Sequence, residues 1–332
     1  MIMTILDELL AERGTLLVDG AMGTELFARG LTAGDPPEAW NVDMPSEITS
    51  VHTGYIDAGS DIVLTNSFGG TAFRLKLHKL DGRVVELNQA AAGVARAAAD
   101  AADRRVIVAG SIGPSGELLV PMGEMTPETA SAAYEAQAEG LTAGGADILW
   151  IETMSSLDEV EAAVHGARRA SSLPIAATMS FDTVGRTMMG VSGKDAAERM
   201  TALGLAAIGA NCGNNVAETE SAVLQIKAGA GDTPVIVKSN AGVPEFRGDA
   251  LTYSGSPEVM GAHVQRMLDA GIEIIGGCCG TSTEHLRYMR DVMDGRVAAP
   301  DLPAPGPNRH DDDLDGGARS PRRERRRRRP TV

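Results

Sequence analysis

Cysteine is scarce in this chain: three residues in 332, with no fourth anywhere. An odd count argues against a disulfide framework. The opening Met-Ile-Met-Thr-Ile-Leu-Asp-Glu-Leu-Leu-Ala-Glu-Arg has no basic leader or cleavage site and reads as an amphipathic helix, so a reducing cytoplasm is expected. Aromatic residues amount to 3%, which leaves the core to Ala, Val, Leu, Ile and Met. No apolar run approaches the ~20 residues a membrane-spanning helix needs. Lysine is rare too, five against 25 arginines, a bias of genome composition or salt adaptation rather than of function. Positive charge is short overall, the net being −15. Residues 301–332 hold nine Arg against six Asp plus Glu, a contribution of +3, so the other 300 residues stand at −18. Such an acidic body is a poor nucleic-acid binder, because that affinity comes from basic contacts to phosphate. The end of the chain has Asp311-Asp312-Asp313, Gly316-Gly317, then Arg322 to Arg329 broken only by Glu324. With almost no apolar content to offset the entropy of ordering, it reads as a disordered, solvated tail. The expectation is one domain over residues 1–300 and a tail over 301–332.

What the chain does have is an alternation. Apolar, β-prone runs occur at Leu16–Asp19, Ile62–Asn66, Val106–Gly110, Ile148–Glu152, Ile175–Ser180, Ala207–Asn211, Val235–Ser239 and Ile272–Gly276. Helical patterns lie between them, at Val84–Ala102, Pro127–Ala143, Leu157–Ala170, Ala196–Leu203, Val216–Ala228 and Pro257–Ala270. Several helices stop at a glycine, as at Gly59, Gly144 and Gly271. Eight short apolar strands, each followed by a helix, predict an α/β fold, a single-domain (β/α)8 TIM barrel with an N-terminal helix. An open doubly wound sheet is the alternative, but it gathers its chemistry at one switch point. Here unusual residues follow nearly every strand, which favours the barrel, whose site collects all eight C-terminal strand ends.

The cysteines stand at such ends. Cys212 follows Ile208-Gly209-Ala210-Asn211, and the pair Cys278–Cys279 lies in Ile274-Ile275-Gly276-Gly277-Cys278-Cys279-Gly280-Thr281. Singly, each has the inert reading of a small buried core residue, and the adjacent pair has that of a strained vicinal disulfide. Three soft thiolates together suit a zinc ion, the glycines letting neighbouring thiols turn toward one point. Three protein ligands leave one coordination position for substrate, the mark of a catalytic zinc, and a thiol substrate would fill it as a fourth sulfur. Asn211, beside Cys212, is placed to orient a ligand. Asp19 has the plain reading of a turn former before Gly20, and Glu152 that of a barrel-mouth salt bridge. A carboxylate ending the apolar run Ile148-Leu149-Trp150-Ile151 is costly without a cation beside it. His52, His78, His165, His263 and His285 lack ligand spacing and read as surface or satisfied core residues. Met22, Met122, Met154, Met179, Met188 and Met189 read as barrel filling. Lys238 and Asn240 follow the seventh strand, but the sequence does not fix their direction. No phosphate-binding loop with a lysine and no Ser-His-Asp arrangement is apparent.

The segments DGAMGTEL (from Asp19), NSFGG (from Asn66), GSIGP (from Gly110), IET (from Ile151), GANCG (from Gly209), SNAGVP (from Ser239) and GGCCGT (from Gly276) follow one another in this order. Over about residues 10–295 the chain resembles the homocysteine S-methyltransferases. That family includes betaine–homocysteine methyltransferase and the homocysteine-binding part of cobalamin-dependent methionine synthase. GGCCGT with an upstream Asn-Cys is the specific element; DGAMGTEL is less so, and GSIGP is weak. The long NSFGGTAFRLKLH and GELLVP stretches are most similar to bacterial betaine-type members. The resemblance implies that Cys212, Cys278 and Cys279 bind Zn2+ and that Asp19 and Glu152 are the active-site carboxylates holding the ammonium of homocysteine. Backbone N–H groups near Gly20 and Ala21 would receive its carboxylate. Trp40, in Pro36-Pro37-Glu38-Ala39-Trp40-Asn41, corresponds to a tryptophan of the aromatic box around a trimethylammonium donor, with loop packing as its plain alternative. Gly69 and Thr153 stand roughly where the animal betaine enzyme carries tyrosines, a departure that touches the donor site rather than the thiol site. Phe68 and Tyr253 are the aromatics available to compensate.

The implied reaction is methyl transfer to the thiol of homocysteine, giving methionine and a demethylated donor. A free thiol titrates near ~8.5 and loses its proton outright on coordination. Betaine is the favoured donor and a sulfonium such as S-methylmethionine the second. Since no cobalamin or folate domain follows residue 300, a separate corrinoid protein is the remaining source. A zinc- or redox-sensing barrel without catalysis is a competing reading that gives Asp19 and Glu152 no task. An aldolase-like barrel is another; it needs a Schiff-base lysine, for which Lys238 is the candidate, and leaves the cysteines unexplained. The expected partners are homocysteine and the methyl donor, compatible with a homo-oligomer, and neither nucleic acid nor membrane.

Overall fold

The computed structural model describes residues 3–182, 185–242, 244–247 and 250–302, so the expected tail from residue 303 onward lies outside the described residues. Eight parallel strands close into a barrel: β1 (Leu16–Val18), β2 (Ile62–Leu64), β3 (Ile107–Ile112), β4 (Ile148–Met154), β5 (Ile175–Met179), β6 (Ala207–Cys212), β7 (Val235–Ser239) and β10 (Ile274–Gly277). β10 pairs back to β1, which excludes the open doubly wound sheet. Strand ends depart from the sequence reading by two residues at most, because pairing rather than apolar content decides where a ladder stops.

The side-chain period of two sorts each strand into an inner and an outer face. Leu16, Val18, Ile62, Leu64, Ile107, Ala109, Ile148, Trp150, Ala176, Ala207, Ile236 and Ile274 form one buried cluster that fills the barrel. Their sequence neighbours Leu17, Val63, Val108, Leu149, Ile151, Ala177, Ile208, Val237 and Ile275 belong to a second cluster, shared with the surrounding helices. Helix α1 (Ile5–Arg13) closes the lower end of the barrel, its Leu6 and Leu9 lying in the interior cluster. A capping box starts it: Thr4 Oγ1 accepts the Asp7 N–H at 3.2 Å, and Asp7 accepts the Thr4 N–H at 2.8 Å.

The outer layer comprises α2 (Met22–Ala28), α3 (Trp40–Asp43), α4 (Pro45–Asp57), α5 (Ala72–Lys76), α6 (Val84–Asp100), α7 (Pro127–Ala143), α8 (Leu157–Ala170), α9 (Gly193–Ala202), α10 (Val216–Gly229), α11 (Pro257–Asp269) and α12 (Thr283–Met293). Gly59 and Gly271 take left-handed φ of +105° and +71° just beyond α4 and α11, as their positions suggested. After α7 the left-handed residue is Gly145 (φ +96°), while Gly144 stays helical. One element was not expected: between β7 and α11 the chain makes an antiparallel hairpin, β8 (Pro244–Arg247) and β9 (Ala250–Tyr253). Among the described residues no helix is long and apolar enough to cross a membrane.

Candidate functional site

β7 lies between β6 and β10, and this explains how cysteines 66 positions apart in sequence come together. Cys212 pairs in register with Ser239, and the Cys278 N–H donates to the Ser239 carbonyl at 2.8 Å. The two cysteine segments therefore flank the same small residue and lean across it. All three sulfurs lie within 4.8 Å of one another, Cys212 and Cys279 at 4.0 Å. Sulfurs sharing one tetrahedral ion through bonds of ~2.3 Å sit about 3.8 Å apart, so the donor set fits a thiophilic metal. All three are free thiols, so the vicinal disulfide is not formed. Among the described residues no other cluster of His, Cys, Asp and Glu has this geometry. Three thiols this close resist joint ionisation. Hydrogen bonds from Cys212 and Cys278, aided by the Tyr253 hydroxyl, hold Cys279 well below the usual thiol range, while Cys278 and Cys279 hold Cys212 far above it.

Backbone bends aim the thiols. Cys212 adopts φ +62°, unusual for a residue with a Cβ, and Gly213 follows at +79°. Thr219 Oγ1 donates to the Cys212 carbonyl at 2.7 Å, and the Gly213 N–H donates to Ser180 Oγ at 3.3 Å, fixing the bend. At Gly280 (φ +78°) the ring of Tyr253 stands where a Cβ would project. Asn240 ties the two loops together: Oδ1 accepts the Cys279 N–H at 3.0 Å and Nδ2 donates to the Gly213 carbonyl at 2.7 Å. Asn211 lies with Nδ2 3.8 Å from Cys278 Sγ. It is held by donating to Thr153 Oγ1 (2.7 Å) and by accepting from the Thr153 N–H (2.9 Å) and the Thr178 hydroxyl (2.6 Å).

The inward register that carries Ile148 and Trp150 continues to Glu152, and that of Ile236 to Lys238. Ser111 and Thr178 stand in the same way above Ala109 and Ala176, so apolar filling gives way to polar groups toward the upper mouth. Asp19 follows β1; its Oδ2 accepts the Leu64 N–H at 2.7 Å and its Oδ1 lies 3.3 Å from Lys238 Nζ. Glu152 Oε1 accepts the Ser111 hydroxyl at 2.5 Å. Burial pushes Asp19 up to about 6, against the pull of Lys238 and the Leu64 N–H. Burial also raises Glu152, with Lys238 opposing and Cys278 adding to the shift. For Lys238 burial acts downward, but Asp19, Glu152 and Cys278 together turn the balance upward. A Schiff-base lysine is activated by being pushed down, and Lys238 is pushed the other way, which weighs against the aldolase-like reading. The cation that the sequence demanded beside these carboxylates is thus partly built in. Gly20 has no room for a Cβ, since the Tyr55 hydroxyl and Thr281 press on it. The Ala21 N–H reaches the Thr281 carbonyl at 3.3 Å, and α2 begins just after it with no side-chain cap on its first-turn N–H groups.

Trp40 opens α3 and packs partly buried against the outer core, while Phe68 is 37% exposed. The Trp40 segment is clamped to the loop after β2. Glu38 Oε1 accepts the Gly69 N–H at 2.6 Å, Asn66 Nδ2 donates to the Pro37 carbonyl at 2.7 Å, and Asn41 Nδ2 donates to the Asn66 carbonyl at 2.7 Å. A Cβ on Gly69 would collide with Glu38, so the glycine makes room for this carboxylate. Sequence reasoning missed Glu38; the only signal was an acidic residue in a Pro-Pro-Glu-Ala-Trp segment. Two smaller expectations are corrected. Met154 and Met179 are core, but Met122 (63% exposed) and Met188 (73%) lie on loops at the mouth and fill nothing. His52 is buried with neither ring nitrogen hydrogen-bonded, so it is core but not satisfied.

The homocysteine S-methyltransferase family model matches residues 16–293. The methionine synthases of Mycobacterium tuberculosis and Mycobacterium leprae are each 32% identical, over 301 and 313 residues. These matches take in 86% and 89% of this chain but 25% and 26% of those proteins, so the chain spans about a quarter of their length. Among solved structures, the oxidized form of the homocysteine methyltransferase MmuM from Escherichia coli matches with TM-score 0.73 at 26% identity, over 88% of this chain and 99% of that one. Its metallated form gives the same TM-score and coverage at 24% identity, a likeness of fold.

Proposed function

The chain belongs to the homocysteine S-methyltransferase family, and from that premise we propose that it moves a methyl group from a small methylated donor to the sulfur of homocysteine, giving methionine, with zinc held by Cys212, Cys278 and Cys279. The observation that supports this best is the meeting of three thiols with Asp19, Glu152 and Lys238 at one barrel mouth. When bound, the zinc supplies the Lewis acidity that removes the proton of a coordinating thiol near neutral pH. The protein's own groups do the rest. The bends at Cys212 and Gly280, held by Asn240, fix where the three sulfurs point, and Asn211 steadies Cys278. Asp19 and Glu152 make the negative wall that receives the ammonium of homocysteine. The first-turn N–H groups of α2, next to Gly20 and Ala21, receive its carboxylate. In the transfer a new S–C bond forms as the donor's bond to its methyl breaks, and the electron pair leaves with the demethylated donor. Alignment of two bound reactants supplies ~7–11 kcal/mol of such a barrier.

Betaine is the first candidate donor, with Trp40 and Phe68 offering aromatic faces to its trimethylammonium group, and a sulfonium compound is the second. Likeness to one quarter of the mycobacterial methionine synthases supports a further reading, in which the methyl arrives on a separate corrinoid protein. A reducing cytoplasm is the setting that keeps the three thiols free. The test incubates zinc-loaded protein and homocysteine with betaine, dimethylsulfonium compounds, S-methylmethionine, S-adenosylmethionine and methylcobalamin in turn. Methionine formed from one of them identifies the donor class; no methionine from any of them refutes the proposal.

A further inference from the structure

We infer that Lys238 is a positioning residue of the thiol-substrate pocket: it takes Asp19 as its own counter-ion and leaves Glu152 as the carboxylate that pairs with the substrate's ammonium. The inference rests on homocysteine as the acceptor and divides labour between two carboxylates that the family resemblance treats together. Both Asp19 oxygens are in use, Oδ2 on the Leu64 N–H and Oδ1 on Lys238 Nζ. Glu152 hydrogen-bonds Ser111 through Oε1. Lys238 is 3% exposed, and the charged or titratable groups that act on it are Asp19, Glu152 and the Cys278 thiol. Its place is fixed by the ladder, in which it pairs with Asn211 on one side and Gly276 on the other. Two carboxylates and one ammonium leave a single negative charge, which one substrate ammonium completes. A thiol lacking the amino group leaves that charge unbalanced in a buried site. The pocket is therefore selective for α-amino thiols, and Lys238 sets which carboxylate reads the amino group.

The experiment compares the affinity of the zinc-loaded full chain for homocysteine and for γ-mercaptobutyrate, the same thiol without its amino group, by calorimetry. The quantity read is the preference ratio, with zinc per chain and circular dichroism confirming an intact site. Asp19→Asn leaves Glu152 as the single carboxylate for two ammonium groups, that of Lys238 and the substrate's own, and the ratio falls by about tenfold or more. Adding Lys238→Met removes that charge and returns the ratio to within about threefold of wild type. If Asp19 instead touches the substrate ammonium, the double variant is no better than Asp19→Asn, and the assignment is overturned. Because Asp19→Asn is the variant most exposed to misfolding, Lys238→Met is read alone as well. With the resident ammonium gone, Asp19 is free to take the substrate's, so the ratio holds or rises; a tenfold fall overturns the assignment. Wild-type protein that binds neither thiol refutes the homocysteine reading itself, whereas wild type that prefers homocysteine while the double variant fails to recover refutes only the role of Lys238.

Discussion

The barrel carries a buried charged cluster at each end, and the two are balanced in opposite senses. At the lower end Asp61, fully buried, accepts the Leu17 N–H at 2.8 Å and is paired by Arg13, Arg104 and Arg290. Three arginines serve one carboxylate, and their surplus donors are absorbed by carbonyls: Arg104 bonds those of Ile56 and Ser60, and Arg290 that of Gly59. At the upper end two carboxylates and three thiols share one ammonium, that of Lys238. The lower cluster is complete within the chain and ties α1, α12 and the start of β2 together. Among the described residues the upper one sets Lys238 against more acidic groups than it can balance, and under the proposed function a metal ion would serve the sulfurs and a substrate ammonium the carboxylates. A buried carboxylate whose cations are all supplied within the chain serves the fold, whereas buried carboxylates that share too few cations mark a place for a ligand.

The contrast is broken most completely at the top by Cys279→Ala. Loss of one of three sulfurs should abolish both zinc retention and methionine formation while leaving the far-UV circular dichroism unchanged; turnover at the wild-type rate would refute the ligand assignment. The largest effect at the bottom is expected from Asp61→Ala, which strands three arginines and should cost about 3–5 kcal/mol of stability in denaturant unfolding. Homocysteine affinity of the chains that remain folded should be untouched, and a matching loss of affinity would mean that the two ends are not independent. A subtler difference is in pH dependence. Burial lifts Asp19 from an ordinary 3.8 to about 6 in the folded chain, so the folded state holds this proton more tightly than the unfolded one. The stability it adds is full below about pH 4 and is lost as pH rises through about 6, on the order of 3 kcal/mol in all. Asp19→Asn should erase that slope, measured as the difference between the two proteins' unfolding free energies from pH 4 to 7; an unchanged slope would place the titration elsewhere.

Much of the site was legible in the sequence because strand ends are short-range signals. Apolar runs stopping at Asp19, Glu152, Asn211-Cys212 and Cys278–Cys279 needed only the barrel rule to be read as one mouth. The three thiols do converge, and Asn211 does reach Cys278. Other parts were not legible. Lys238 and Asn240 both follow inward-facing Ile236 at even spacing, but which face of β7 is inward depends on its pairing with β6 and β10. Glu38 gains its role only from a loop 31 residues away that brings Gly69 against it. The hairpin β8–β9 was not expected because the stretch between β7 and α11 has no continuous apolar run of the kind that marks the barrel strands.

From its amino-acid order alone this protein was bound to alternate strands and helices, to bury both faces of each strand, and to place its sulfurs and acids at strand ends. Those features arise from side-chain periodicity and turn chemistry over a few residues, which any short window contains. Closure of the ring decided the rest: that Asp19 meets Lys238 across 219 positions, that Ser239 lies between the cysteine segments, and that the carboxylate at one end has three arginines while the two at the other share one lysine. Such pairings follow from strand register and shear, which no local stretch of chain encodes.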